Sequence, residues 1–193
     1  MDNRIIINIG RQFGSGGRRI GNALGERLGI PIFDRQLITE AAQKSGYSPE
    51  VFRKKEERKR LFSFLSSNGV DDSEIFRIQS EIIRDIASRG SAIFLGRASD
   101  YVLRDMPCLN VFLTAPEDVR ASHVAQLRGI SEEEAAETCA KEDRERETYY
   151  NFFTFRNWGV ASNYDLCFDT SKLGIEGSAD FIIDFGKRIG YLK

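Results

Sequence analysis

The sequence predicts an α/β domain in which a mainly parallel sheet carries helices on both faces. Three observations lead there. Short apolar runs rich in β-branched residues alternate along the chain with longer segments of helical periodicity. The first 34 residues read strand, glycine loop, helix, strand, which is a βαβ unit. The 193 residues, 41% hydrophobic and 30% charged, amount to one domain of ordinary globular composition, with no repeat, low-complexity tract or linker.

Taken in order, Ile5 to Ile9 reads as a buried strand followed by Gly10. Ile20, Ala23, Leu24 and Leu28 are spaced three and four apart, the mark of a helix, and Gly29 stops it. Pro31-Ile32-Phe33 is a short strand leading to Asp34. Gln36 to Lys44 reads as helix, with a restart at Ser48-Pro49-Glu50, a capping serine and a proline at the first helical position. Arg53 to Arg60 is a dense charge run, read as a solvated helix face or as a flap facing phosphate. Ser63 to Asp72 is a polar loop, and Asp71 with Glu74 has capping-box spacing for a helix to about Arg89.

Ser91 to Leu95 is the next strand, followed by Gly96-Arg97. Leu109 to Leu113 is another. Thr114 and Glu117 then have capping-box spacing for a helix through Leu127, and Ser131 with Glu134 starts a further, highly charged helix. Tyr164 to Phe168 is the last strand, and Ile175 to Ile189 the closing helix.

Composition excludes several classes of function. With 28 basic and 29 acidic residues the net charge is -1, so no global field steers the chain to nucleic acid or to an anionic membrane, and anion binding must come from a local cluster. The apolar run after Met1-Asp2-Asn3-Arg4 is too short for a signal peptide, and no stretch approaches the roughly 20 apolar residues that span a bilayer. Cys108, Cys139 and Cys167 are odd in number and widely spaced, which fits neither a disulfide framework nor a zinc site and points to a reduced, cytoplasmic protein. The one histidine, His123, sits in a helical pattern and reads as structural or surface.

The strongest chemical signal is Gly10-Arg11-Gln12-Phe13-Gly14-Ser15-Gly16-Gly17-Arg18-Arg19, between a buried strand and a helix start. There, small residues let backbone N–H groups curl around a phosphate, and the helix N-terminus adds partial positive charge. Ser15 can donate a hydroxyl or ligate magnesium, and Arg18 and Arg19 add forked, charged donors. The pattern G-x-x-x-x-G-K-[ST] is not met. With Gly16 as its last glycine, Gly17 holds the lysine position, Arg18 and Arg19 follow, and the loop has no lysine. A dinucleotide fingerprint is matched only loosely by Gly14 and Gly16, and a plain strand-to-helix connector is the remaining reading.

Further candidates follow strands, and so lie on the edge of the sheet where ligands bind in doubly wound folds. These are Asp34-Arg35, Gly96-Arg97 with Asp100 near by, and Asp169-Thr170-Ser171-Lys172. Asp34 also reads as a helix cap, and Arg97 as a receptor for a phosphate or carboxylate or as part of an ion pair. Arg144 and Arg146, in Asp143-Arg144-Glu145-Arg146, are two apart and diverge by about 200° on a regular helix, so both meet one ligand only near a helix end or across a closing lid. Tyr149, Tyr150, Phe152, Phe153, Phe155 and Trp158 read mainly as packing.

The runs Ile9 to Arg18, Gly96-Arg97-Ala98-Ser99-Asp100-Tyr101, Asn163 to Cys167 and Asp169 to Glu176 together resemble the cytidylate-kinase-like family, over nearly the whole chain and in the same motif order. The resemblance implies a nucleoside-monophosphate-kinase fold: a P-loop three-layer αβα domain over residues 1–193, with a mainly parallel central sheet. About 36–90 would form a helical acceptor-side insertion and about 130–160 a helical lid. It implies transfer of the γ-phosphoryl of ATP to CMP or dCMP with Mg²⁺. Carried over, Gly14, Ser15, Gly16, Gly17, Arg18 and Arg19 hold the donor phosphates, with Ser15 toward the metal. Asp34, Arg97 and Asp100 face the acceptor, and Arg144 and Arg146 match the lid arginines, with Glu145 in place of an aspartate. Thr170 and Ser171 border the base. Two departures stand out: the missing lysine, and Ala98 where typical members have aspartate. The alternatives are a nucleotide-binding regulatory protein without catalysis, or a kinase for another small molecule. The expected partners are small nucleotides, with no nucleic acid and no membrane, and oligomeric state is open.

Overall fold

The computed structural model describes residues 4–36, 38 and 70–193. The predicted restart at Ser48, the charge run from Arg53 to Arg60 and most of the helical insertion lie outside the described residues.

The elements are β1 (Ile6–Arg11), α1 (Gly17–Leu28), β2 (Ile32–Phe33), α2 (Val70–Arg89), β3 (Ala92–Leu95), α3 (Ser99–Val102), β4 (Leu109–Thr114), α4 (Glu117–Arg128), α5 (Glu132–Thr154), β5 (Leu166–Asp169) and α6 (Gly174–Arg188). All five strands are parallel, in the order β2-β3-β1-β4-β5. The chain builds one side of the sheet from β1, then crosses to the other, so the loop leaving β1 opens into the crevice outside the carboxyl ends of the strands.

Side-chain alternation along β1 makes the three layers. Ile7 and Ile9 pack with Ile20 and Leu24 of α1 and Ile182 of α6, while Ile6 faces Ile78, Ile82 and Ile83 of α2. A smaller cluster joins α4 to α5 through Val124, Ala125, Ala135 and Cys139, with Phe13 of the glycine loop against it. That contact seats α5 beside the loop.

Most predicted elements appear within two residues of their expected ends, and Gly29 closes α1 in the left-handed conformation. The Ser131–Glu134 capping box forms with both of its reciprocal bonds. Three expectations are corrected. β1 does not end at Ile9 but continues to Arg11, because Gly10 and Arg11 keep register with Phe112 and Leu113 of β4. Thr114 caps nothing: it ends β4, its hydroxyl donates to the Phe168 carbonyl at 3.2 Å, and Pro116 is the residue before α4. The loop expected through Asp72 is already helical at Val70, so Asp71 lies inside α2 rather than capping it.

Cys108, Cys139 and Cys167 are free thiols. Among the described residues no helix is long and apolar enough to cross a membrane.

Candidate active site

The chain leaves β1 at Arg11, turns at Gly14 (φ 83) and Gly16 (φ 80), and enters α1 at Gly17. Both turns need the left-handed region that glycine enters without strain. At Gly14 a Cβ would also come within 2.9 Å of the Arg120 carbonyl oxygen.

The loop's carbonyls are tied into the protein. The Ser15 hydroxyl and N–H both point to the Gln12 carbonyl, at 2.8 and 3.4 Å. Arg120 donates to the Phe13 carbonyl at 3.0 Å, and His123 Nδ1 lies 2.9 Å from the Gly14 carbonyl, an acceptor that requires the proton on Nδ1. The Thr170 hydroxyl lies 2.8 Å from the Ser15 carbonyl and 3.1 Å from that of Thr114. With these carbonyls engaged, the first-turn amides of α1 at Gly17, Arg18 and Arg19, which have no partner within the helix, are the donors that such a loop offers an anion.

Phe13 is held at both ends of its residue. Its N–H donates to Asp143 Oδ1 at 2.6 Å, while Arg120 pairs with Asp143 Oδ2 at 2.7 Å. The Arg120 and Asp143 side chains are only 10% and 15% exposed. Burial lifts the Asp143 carboxyl above its ordinary value, against the pull of the Phe13 N–H and of Arg120. The pair therefore bolts α4 and α5 to the glycine loop.

Arginines converge on the loop from four elements. Arg11 ends β1, Arg18 opens α1, Arg97 follows β3 and Arg146 comes from α5. Arg146 donates to the Arg11 carbonyl at 2.9 Å and lies over the Phe13 ring at 5.2 Å. Arg18, with its side chain 71% exposed, pairs with Asp34 Oδ2 at 2.9 Å. The other Asp34 oxygen accepts the Gln36 N–H at 3.0 Å, so Asp34 caps the following turn and meets Arg18 at the same time. Burial pushes the Arg11 guanidinium down to about 9, with Arg146, Arg97 and Arg18 adding repulsion and Asp34 opposing it.

Arg97 stands on a strained turn. Gly96, Arg97 and Ala98 are all left-handed, at φ 69, 60 and 53. For the two L-residues that conformation costs about 1–2 kcal/mol each, a kind of strain that collects at functional sites. Its guanidinium stacks on the Tyr149 ring at 4.1 Å and donates through Nε to Gln79 at 3.1 Å, with a second, shorter bond from Nη2 to the same oxygen.

Other predicted residues are placed differently. Asp100 accepts the Tyr150 hydroxyl at 2.7 Å, and burial raises its carboxyl above the ordinary value. Burial and Asp100 likewise raise Tyr150 and Tyr164, so this group is a packed polar network. Arg144, two positions from Arg146, is exposed, as is Arg19, and neither has a hydrogen bond or ion pair among the described residues. Thr170 is buried as a strut under the loop, and Ser171 is exposed, its N–H donating to Asp169. The aromatic segment mainly packs, with Phe76 stacked on Phe153 at 4.3 Å, though Phe152 and Phe155 are 60% and 92% exposed. Arg11, Gln79, Arg120 and Asp143 were not singled out from sequence. The available signal was positional: counting back from Gly16, Arg11 stands where the pattern has its first glycine.

The chain is similar to known proteins along most of its length. A sequence profile of the cytidylate kinase-like family matches residues 6–172. A cytidylate kinase from Pyrococcus horikoshii is 29% identical over 176 residues, covering 90% of this chain and 84% of that protein. Another, from Methanopyrus kandleri, is 29% identical over 178 residues, covering 87% and 86%. Among solved structures, an uncharacterized protein from Eubacterium ventriosum superposes with a TM-score of 0.77 at 28% identity, covering 94% of this chain and 98% of that one. Shikimate kinase from Bacteroides thetaiotaomicron shares the fold, with a TM-score of 0.58 at 16% identity over 95% and 98%.

Proposed function

The chain belongs to the cytidylate kinase-like family, and we propose that it is an ATP-dependent kinase for a nucleoside monophosphate, with CMP or dCMP preferred. The observation that carries this reading is the gathering of Arg18, Arg97 and Arg146 around a glycine loop at the carboxyl edge of the sheet. One group of cations there can serve two phosphates, donor and acceptor.

In this reading the chain is one kinase domain, with residues 36–90 on the acceptor side and 130–160 as lid. Gly14, Ser15, Gly16 and Gly17 cradle the donor phosphates, and Arg18 and Arg19 bring charge to them. Arg97, fixed by Gln79 and Tyr149, receives the acceptor phosphate, and Asp34 lies on the acceptor's sugar or base side. Arg146 closes over the transferring group, with Arg144 joining it only if the helix end moves. Asp100 supports the turn that carries Arg97, and Thr170 and Ser171 border the base. An acceptor phosphate oxygen forms the new bond to the γ-phosphorus as the bond to the β–γ bridging oxygen breaks, and its electron pair leaves with ADP. The protein's share is position and positive charge, not covalent chemistry.

Magnesium fits this site as a companion of the nucleotide. Among the described residues no three His, Cys, Asp or Glu side chains converge on a metal position, and Mg²⁺ in such sites takes phosphate and water oxygens with few protein ligands. Ser15 Oγ gives its proton to the Gln12 carbonyl and keeps lone pairs for a ligand. The ion, when bound, would be held from the Ser15 side and would supply positive charge to the phosphates.

The test is ADP formation from ATP and Mg²⁺ with CMP, dCMP, UMP, AMP and GMP. Turnover led by CMP or dCMP is expected. A second reading, a nucleotide-binding regulatory protein, draws on Gly17 at the lysine position and Ala98 at the aspartate position. Tight nucleotide binding with no ADP from any acceptor would favour it, or a kinase acting on a different small molecule.

A further inference from the structure

We propose that Arg11 is the cation that holds the β- and γ-phosphates of the donor nucleotide, in place of the lysine that a phosphate loop carries at the position of Gly17. The proposal rests on the kinase reading above and adds the residue that would make a lysine-less loop competent.

The sequence arithmetic is reciprocal. With Gly16 as the last glycine of G-x-x-x-x-G-K, the first glycine falls at position 11 and the lysine at position 17. This chain carries arginine at the first and glycine at the second. The structure explains why the two changes go together. The Arg11 side chain runs across the start of α1, so that a Cβ on Gly17 would lie 2.8 Å from its Cγ and 3.0 Å from its Cβ. These atoms sit near the backbone and have little freedom to move aside. At its far end, the Nη1 group occupies the space that a Cβ on Gly96 would need. The side chain thus bridges the glycine loop and the turn that carries Arg97, between the donor and acceptor sides of the crevice.

Its surroundings call for an anion. The guanidinium makes no hydrogen bond or ion pair with any described residue, although Arg146, Arg97 and Arg18 all act on it electrostatically. Among the described residues Asp34 is the acidic group that opposes them there, and it is already engaged by Arg18 and by the Gln36 N–H. Like charges gathered in a partly buried place are unfavourable until a counter-charge arrives. A polyphosphate supplies it, and the planar fork of arginine can bond two of its oxygens at once.

The test is a double-mutant cycle in the whole chain: Arg11→Gly, Gly17→Lys and the two together, with Arg188→Ala as a surface control. Binding of Mg²⁺–ATP and of inorganic tripolyphosphate is measured by calorimetry, turnover is measured on the best acceptor, and thermal unfolding checks the fold of each variant. Arg11→Gly should weaken binding of both probes about 10–100-fold and lower kcat by about 10²–10³. Gly17→Lys alone should also weaken binding, because the new side chain displaces Arg11. The double variant, which recreates G-x-x-x-x-G-K, should recover to within a few-fold of the parent.

Parent-like binding of tripolyphosphate by a folded Arg11→Gly variant would overturn the proposal, as would a double variant no better than either single one. A parent chain that binds tripolyphosphate but turns over no acceptor defeats the acceptor assignment, while the binding cycle still decides the role of Arg11. A parent that binds neither probe overturns both.

Discussion

The side chain of Arg11 and the bare Cα of Gly17 fill one another's space: a Cβ on the glycine would meet the arginine's Cγ at 2.8 Å. Gly17→Ala is the smallest test of that fit. Alanine favours helix over glycine, so in the absence of crowding the variant would gain stability. Overpacking against Arg11 should instead cost about 1–3 kcal/mol, measured by denaturant unfolding, and ATP affinity should fall with it.

The Arg120–Asp143 pair couples α4 and α5 to the loop through Phe13. Asp143→Ala leaves a nearly buried guanidinium without its counter-charge and the Phe13 N–H without an acceptor. Breaking a buried pair from one side costs about 3–5 kcal/mol. At about 2–4 °C per kcal/mol for a domain of this size, Tm should drop on the order of 10 °C. A change of a degree or two would mean that the loop is not held from α5.

Gln79 is buried and accepts from Arg97 and, at 3.3 Å, from the Tyr149 hydroxyl. Gln79→Ala should remove two hydrogen bonds that orient the Arg97 guanidinium, without touching the donor loop. Loss of hydrogen bonds to a charged group, about 1.5–3 kcal/mol, corresponds to a rise in acceptor KM of about 10–100-fold. ATP affinity should stay near the parent value. Equal losses for donor and acceptor would place Arg97 elsewhere in the reaction.

The charge on Arg11 sets a pH signature. Its folded value of about 9 lies well below the ordinary arginine range, so the group is protonated at pH 7, and its charge opposes folding by an amount that is relieved as pH rises above about 9. A bound polyphosphate raises the value again. Binding of tripolyphosphate should therefore take up almost no proton at Arg11 at pH 7 and a substantial fraction of one at pH 10. Calorimetry in buffers of different ionisation enthalpy reads this directly, with Arg11→Gly as the background for other groups. Equal uptake by parent and variant at pH 10 would remove Arg11 from the site.

The architecture was legible because its signals are local. Ile20, Leu24 and Gly29 mark α1 by period and stop, and the Ser131–Glu134 pair marks the start of α5 by its capping chemistry. The Thr114–Glu117 pair has the same spacing but fails, because ladder bonding keeps Thr114 in β4 and Pro116 precedes the helix. The glycine loop and the positions of Arg97 and Arg146 could likewise be read from motif order.

What escaped were relationships between distant residues. Asp143 reads as one charge among many on a solvated helix, and only the docking of α5 turns it inward. Thr170 reads only as a residue of the turn after the last strand, and the fold alone directs its hydroxyl to backbone carbonyls beneath the loop. Arg11 hid as the first residue of a loop, since pairing with Leu113 is what extends β1 far enough to aim it.

The most direct measurement is phosphorus NMR of the chain with ATP, Mg²⁺ and CMP, following both nucleotides in one sample. Formation of CDP and ADP in equal amounts, abolished in Arg97→Ala, is the expected result. ATP that remains intact beside CMP, or ADP that appears with inorganic phosphate and no CDP, would contradict phosphoryl transfer to this acceptor.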